Sequence, residues 1–100
     1  MNFGQAVEAM KAGAKVCRSG WNGKGMWIIW IPGTKNAQLS EGSPYRTALG
    51  LTQCEILPHI DMWTITADGN RAMLPGWLAS QSDMLAEDWY LVAPPTQDNV

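Results

Sequence analysis

Residues 14–31, AKVCRSGWNGKGMWIIWI, set two apolar segments on either side of a loop of glycine, tryptophan and small polar residues. The first segment, AKVCR (14–18), alternates well enough for a short strand, and MWIIWI (26–31) is a stronger one. A strand, a glycine-rich connection and a second strand predict an antiparallel hairpin with a wide loop. Pro32-Gly33 then ends the second strand. The loop raises its own question, because Trp21 sits among three glycines, where the backbone has least with which to cover an indole.

Upstream of the hairpin the period changes. Phe3, Ala6, Val7 and Met10 fall at i, i+3, i+4 and i+7, one apolar stripe of a helix. Asn2 can cap it and Gln5, three residues on, completes a capping-box pattern. Gly13 is its natural stop, since glycine enters the left-handed C′ conformation cheaply. Downstream, residues 34–54 carry no clear period: Ser43-Pro44-Tyr45 is a break, and TALGLTQ reads as a turn of helix or an irregular lid. EILPHIDMWTITA (55–67) reads as one long strand with apolar residues on both parities. Asp68-Gly69 is a tight-turn signal, NRAML returns as the partner strand, and Pro75-Gly76 ends it. A short helical turn follows, with Ser80 as its cap and Asp83 at N3, and WYLV closes the chain's ordered part as a strand. The expected architecture is α+β, an N-terminal helix packed on an antiparallel β-sheet. It forms one small domain over residues 1–93, with a disordered tail over 94–100.

Composition narrows the function. At 100 residues and 46% apolar the chain has a core, yet a domain this short buries a limited share of its surface. Six tryptophans (21, 27, 30, 63, 77 and 89) exceed what such a core needs, so subunit contacts or a ligand pocket are expected as well. Seven basic residues and a net charge of −2 argue against duplex nucleic acid, which is bound by neutralising phosphates. No apolar run approaches the ~18 residues of a membrane span, and the first residues lack the layout of a signal peptide. Cys17 and Cys54 have neither the number nor the spacing of a disulfide framework or a metal site, and read as small buried hydrophobes in a reducing cytosol.

Catalytic groups are sparse. His59 follows a proline and reads as a structural hydrogen-bonding group. Asp83, Glu87 and Asp88 form the one acidic cluster, and its simplest use is a helix cap and a solvated face. GxSxG, P-loop and GxGxxG motifs are absent, so neither cofactor nor metal is expected. Binding groups are richer. Glycines let a backbone approach a flat ligand, and Trp21 or Trp27 could stack on a purine. Arg18, Ser19, Asn22 and Lys24 offer donors around them. LPGWLASQSDMLAEDW (74–89) repeats the design: Gly76 beside Trp77, then Ser80, Gln81, Ser82 and Asp83 entering a helix whose free amides favour an anion. Two such loops could clamp opposite sides of one nucleotide.

VCRSGWNGKGMW (16–27), ILPHIDM (56–62) and LPGWLASQSDMLAEDWYLV (74–92), with the MNFGQAVEAMKAG opening, resemble a small phage and prophage family, the second type of Thoeris anti-defence protein. Residues 32–50 carry no motif of that family. The resemblance implies a sponge that sequesters a cyclic ADP-ribose-type immune signal without degrading it, in the cytosol of the infected bacterium. It implies a homotetramer with ligand pockets between subunits, and, in some members, separate pockets for cyclic di- or trinucleotides. Carried onto this chain by motif, the ligand-binding residues are Trp21, Asn22, Gly25 and Trp27 from the first loop and Trp77, Ala79, Ser80 and Asp83 from the second, with Arg18 and Tyr45 beside them. Asp83 is awkward beside phosphates and suits a ribose hydroxyl or an adenine amino group. Trp21 then tolerates its glycine-rich setting because ligand and neighbouring subunit complete its burial. Two rivals stay open: an enzyme that cleaves the same signal, and a structural phage protein whose tryptophans serve assembly alone.

Overall fold

A computed structural model describes residues 1–95. Helix α1 (Phe3–Lys11) starts at Asn2 through the expected capping box: Asn2 Oδ1 accepts from the Gln5 N–H and Gln5 Oε1 from the Asn2 N–H, both at 2.9 Å. Strands β1 (Lys15–Arg18) and β2 (Trp27–Ile31) pair antiparallel with Val16 opposite Ile28. The hairpin read from residues 14–31 is therefore the centre of the fold.

The middle of the chain departs from the expectation. Residues 34–54 form β3 (Thr34–Gln38), a short helix α2 (Pro44–Leu49) and the start of β4 (Gln53–Ile56), so of the two readings of TALGLTQ the helical turn holds for its first three residues, while the two strands were not expected. The single strand expected over 55–67 is two, because the chain breaks at Leu57-Pro58 before β5 (His59–Ile65). Proline has no N–H for a ladder. Gly33, at φ +83°, also crosses this break so closely that a Cβ there would lie 2.6 Å from the Ile56 carbonyl oxygen. Strands β3 and β4 consequently form their own two-stranded sheet, pairing with each other and with no strand of the main sheet. This arm helps give the molecule a Cα radius of gyration of 16.1 Å, against about 13 Å for a compact domain of this length.

After β5 the Asp68-Gly69 turn closes a hairpin with β6 (Arg71–Pro75), with the Thr66 N–H donating to the Asn70 carbonyl at 2.7 Å. Helix α3 (Gln81–Leu85) and β7 (Trp89–Val92) complete the chain. The main sheet runs β6-β5-β2-β1-β7, all neighbours antiparallel. Ala93–Pro95 lie outside helix and strand, and the remainder of the tail, 96–100, lies outside the described residues.

Strand register distributes the side chains. Val16, Ile28, Met62 and, two residues from Leu91, Trp89 share one face, and α1 covers it with Ala6 and Met10. Ala6, Met10, Val16, Ile28 and Trp89 are the buried centre, flanked by Phe3, Trp21, Trp30, Ile60, Met62 and Trp77. The opposite face carries Trp27 and Trp63, a directly paired couple stacked at 5.8 Å and 19°, with Lys15 Nζ 4.9 Å from the Trp27 ring centroid. No described helix covers that face.

Candidate functional site

The site grows from the end of β1. Arg18 lies opposite Trp89 in the ladder, which delivers its guanidinium to α3 and to the segment entering β7. Its Nη1 donates to Asp83 Oδ1 and its Nε to Asp88 Oδ1, both at 2.8 Å. Trp21, three residues on, donates its indole N–H to the same Asp83 Oδ1 at 3.0 Å. Asp83 Oδ2 accepts from the Ser80 N–H at 3.0 Å while Ser80 Oγ accepts from the Asp83 N–H at 3.1 Å, the reciprocal cap expected for α3. Trp89 Nε1 donates to the Asp83 carbonyl at 3.0 Å.

Asp83 is thus buried, at 7% exposure, and its carboxylate serves the chain's own donors. Burial alone would raise its pKa; the hydrogen bonds from Trp21, the Ser80 amide and Arg18 outweigh that and lower it to about 2. The hydrogen bond from Arg18 likewise holds the Asp88 carboxyl below its ordinary value. At the start of α3 the Ser80 amide is therefore taken by the Asp83 carboxylate and the Asp83 amide by the Ser80 hydroxyl.

Above this charged layer the aromatic rings meet edge to face. Trp21 lies 6.2 Å from Trp77 at 62° and 5.3 Å from Trp89 at 80°; Trp77 lies 6.3 Å from Trp89 at 85°. Trp89 is buried, whereas Trp21 and Trp77 are half-exposed. The second loop is pinned to β5: the Trp77 N–H donates to the Ile60 carbonyl at 2.7 Å, and the Gly76 N–H reaches Asp61 Oδ1 at 3.0 Å.

The fold therefore joins Arg18, Trp21, Trp77, Ser80 and Asp83, with Ala79 beside Ser80 and Asn22 exposed on the loop. It does not join Trp27, which lies on the other face of the sheet with Trp63. Gly25 faces the Arg71 guanidinium, whose Nη1 donates to the Lys24 carbonyl at 3.2 Å. Tyr45 stands on α2 in the arm, 59% exposed, at a cleft of about 330 Å³ shared with Leu49 and Leu57. Two contributors escaped the sequence reading. Asp88 reads as a solvated acid and Trp89 as a plain strand residue, because Arg18 and Trp21, which they meet, lie too far along the chain for any spacing rule.

His59 Nδ1 lies 2.8 Å from the Leu57 carbonyl oxygen and Nε2 3.5 Å from Asp61, a local structural setting. Cys17 is buried and Cys54 half-buried, both unbridged. Among the described residues no helix is long and apolar enough to cross a membrane. The cavity touching Trp21 is about 120 Å³ and is lined also by Arg18, Ser19, Lys24, Tyr90 and the expected site residue Gly25. A larger one of about 440 Å³, between Gly13–Lys15 and Leu91–Pro95, lies away from the tryptophan cluster.

Fold and site together define a small α+β domain with a tryptophan-walled surface braced by part-buried ion pairs. Residues 1–92 match a family described as the Thoeris anti-defense 2-like domain. The chain is also 34% identical over 97 residues to Thoeris anti-defense 2 of Bacillus phage SP01, an alignment covering 93% of this chain and 96% of that protein. The chain belongs to the Thoeris anti-defense 2 family and is a Thoeris anti-defence protein.

Proposed function

We propose that the protein is a sponge for a cyclic ADP-ribose-type signal, which it holds and does not cleave, in the cytosol of the infected bacterium. The observation that carries this reading is the pair Trp21 and Trp77: two half-exposed indoles, fixed edge to face beside Ser80, offering flat surfaces to a base. The acids nearby are already engaged by Arg18, the Trp21 indole and backbone amides, so neither is free to act as a general base. Groups of this kind hold a ground state without favouring a transition state, and that suits sequestration. The family membership is consistent with a non-enzymatic role.

The pocket is completed by a neighbouring subunit. Ligand pockets are commonly about 300–1,000 Å³, whereas the cavity at Trp21 in one chain is about 120 Å³. The arm supports assembly too, because a lone two-stranded hairpin is marginally stable and this one exposes Tyr45, Leu49, Leu51 and Leu57. Light scattering is expected to give a mass near four times the 11.0 kDa chain, and Leu49→Asp with Leu57→Asp is expected to reduce it. A wild-type mass at the monomer value contradicts the assembly.

Ligand fate tests the central reading. Protein incubated overnight at 37 °C with lysate containing the signal, stripped of free small molecules and then heat-denatured, is expected to release a stoichiometric amount of unchanged cyclic nucleotide. The released molecule should again activate a Thoeris effector. Linear ADP-ribose accumulating with time would make the protein an enzyme, and retention of no nucleotide would leave the tryptophans to assembly alone.

A further inference from the structure

Residues 19–25 contain three glycines and no helix or strand, yet Trp21 within them holds a defined orientation. A loop of this composition loses conformational freedom when a ligand immobilises it, unless something has ordered it beforehand. Asp88 supplies the ordering. Its Oδ2 accepts from the Gly20 N–H at 2.8 Å and lies 3.4 Å from Ser19 Oγ; its Oδ1 accepts from Arg18 Nε at 2.8 Å; its carbonyl accepts from the Ser19 N–H at 3.2 Å. Three consecutive residues, Arg18 to Gly20, thus converge on one aspartate.

Gly20 is part of the same device. A Cβ there would lie 2.7 Å from Asp88 Oδ2 and 3.2 Å from Arg18 Nη2, so an added methyl would displace the Asp88 carboxylate from its contact with the Gly20 N–H. Arg18 then links the anchor to Asp83, which receives the Trp21 indole N–H. Asp88 is itself placed by the ladder, being the residue before Trp89, which pairs with Arg18.

We propose that Asp88, with Gly20 as its close-approach partner, is a positioning residue. It orders the Trp21 loop before the ligand arrives and raises affinity without touching the ligand. This inference rests on the reading of Trp21 as a ligand-binding residue.

The test uses the full chain, a cyclic ADP-ribose isomer as the titrated probe, and a readout that needs no ligand. That readout is hydrogen exchange of the Trp21 indole N–H, assigned by its absence in Trp21→Phe. Asp88→Ala is expected to accelerate exchange at Trp21 about tenfold more than at Trp89, and to weaken probe binding by about tenfold. Gly20→Ala, which leaves every charge in place, is expected to reproduce both effects, and Asp88→Asn, which keeps one acceptor oxygen, to fall between. Exchange at Trp21 unchanged in Asp88→Ala overturns the proposal, whatever the ligand. So does an affinity loss that only matches a reduced folded fraction. A wild type that does not bind the probe defeats the sponge reading instead, while the exchange result still decides whether Asp88 orders the loop. If Asp88→Ala does not fold, Gly20→Ala and Asp88→Asn carry the same comparison.

Discussion

Asp83→Ala is expected to destabilise the fold by about 3–5 kcal/mol, because a part-buried ion pair, two further hydrogen bonds and a helix cap are lost at once. The substitution takes away the acceptor for Arg18 Nη1, the Trp21 indole and the Ser80 amide together, and the cap of α3 with them. For a chain of this length the melting temperature should fall by about 4–8 °C per kcal/mol, so a loss well above 10 °C is expected in a thermal melt. A shift within a few degrees would mean that the network contributes little.

The charge is separately testable. The Asp83 carboxyl titrates at about 2 in the folded chain against an ordinary 3.8. The folded state therefore binds fewer protons between those values, and the associated stability is present in full above about pH 5 and lost as the pH falls through 2. After screening at the wet mouth of the site it amounts to about 1–2 kcal/mol. Asp83→Asn cannot titrate there, so its stability deficit relative to wild type should be largest near neutral pH and shrink towards pH 2. A deficit independent of pH would assign the loss to packing.

Trp21→Ala is expected to weaken nucleotide binding by up to roughly a hundredfold, since stacking on one base is worth about 1–3 kcal/mol and tenfold in affinity corresponds to about 1.4 kcal/mol. The fold should survive. Trp21 is half-exposed, and Asp83 retains Arg18 and Ser80 when the indole is gone. A fully buried tryptophan would instead cost about 3–5 kcal/mol of stability. Trp21→Phe keeps a ring face without the indole N–H and should recover most of the binding. Melting and titration on the same preparations separate the cases: a collapsed melting temperature with unchanged affinity per folded molecule would make Trp21 a core residue.

Features set by neighbours within a few residues were legible from the chain. Both capping boxes, Asn2 with Gln5 and Ser80 with Asp83, join residues three apart, and both formed as expected. The turn at Asp68-Gly69 and the hairpin of β1 and β2 are equally local. The break at Leu57-Pro58 was missed although the proline was in view, because the apolar pattern runs straight through it. Pro58 cannot donate to a ladder, and the crossing of Gly33 at the same point comes from more than twenty residues earlier in the chain.

The sequence by itself determined the elements: an N-terminal helix, a central hairpin, and two glycine-tryptophan loops rich in small polar groups. Tertiary structure alone decided which tryptophans share a site. Trp21 and Trp27 stand six residues apart, yet one joins Trp77 and Trp89 above Asp83 and the other stacks on Trp63 across the sheet. Side chains alternate between the faces of a strand, so register between strands distant in sequence sets each one's company. Arg18 and Asp88 are 70 residues apart for the same reason, and only the pairing of β1 with β7 brings their charges within 2.8 Å.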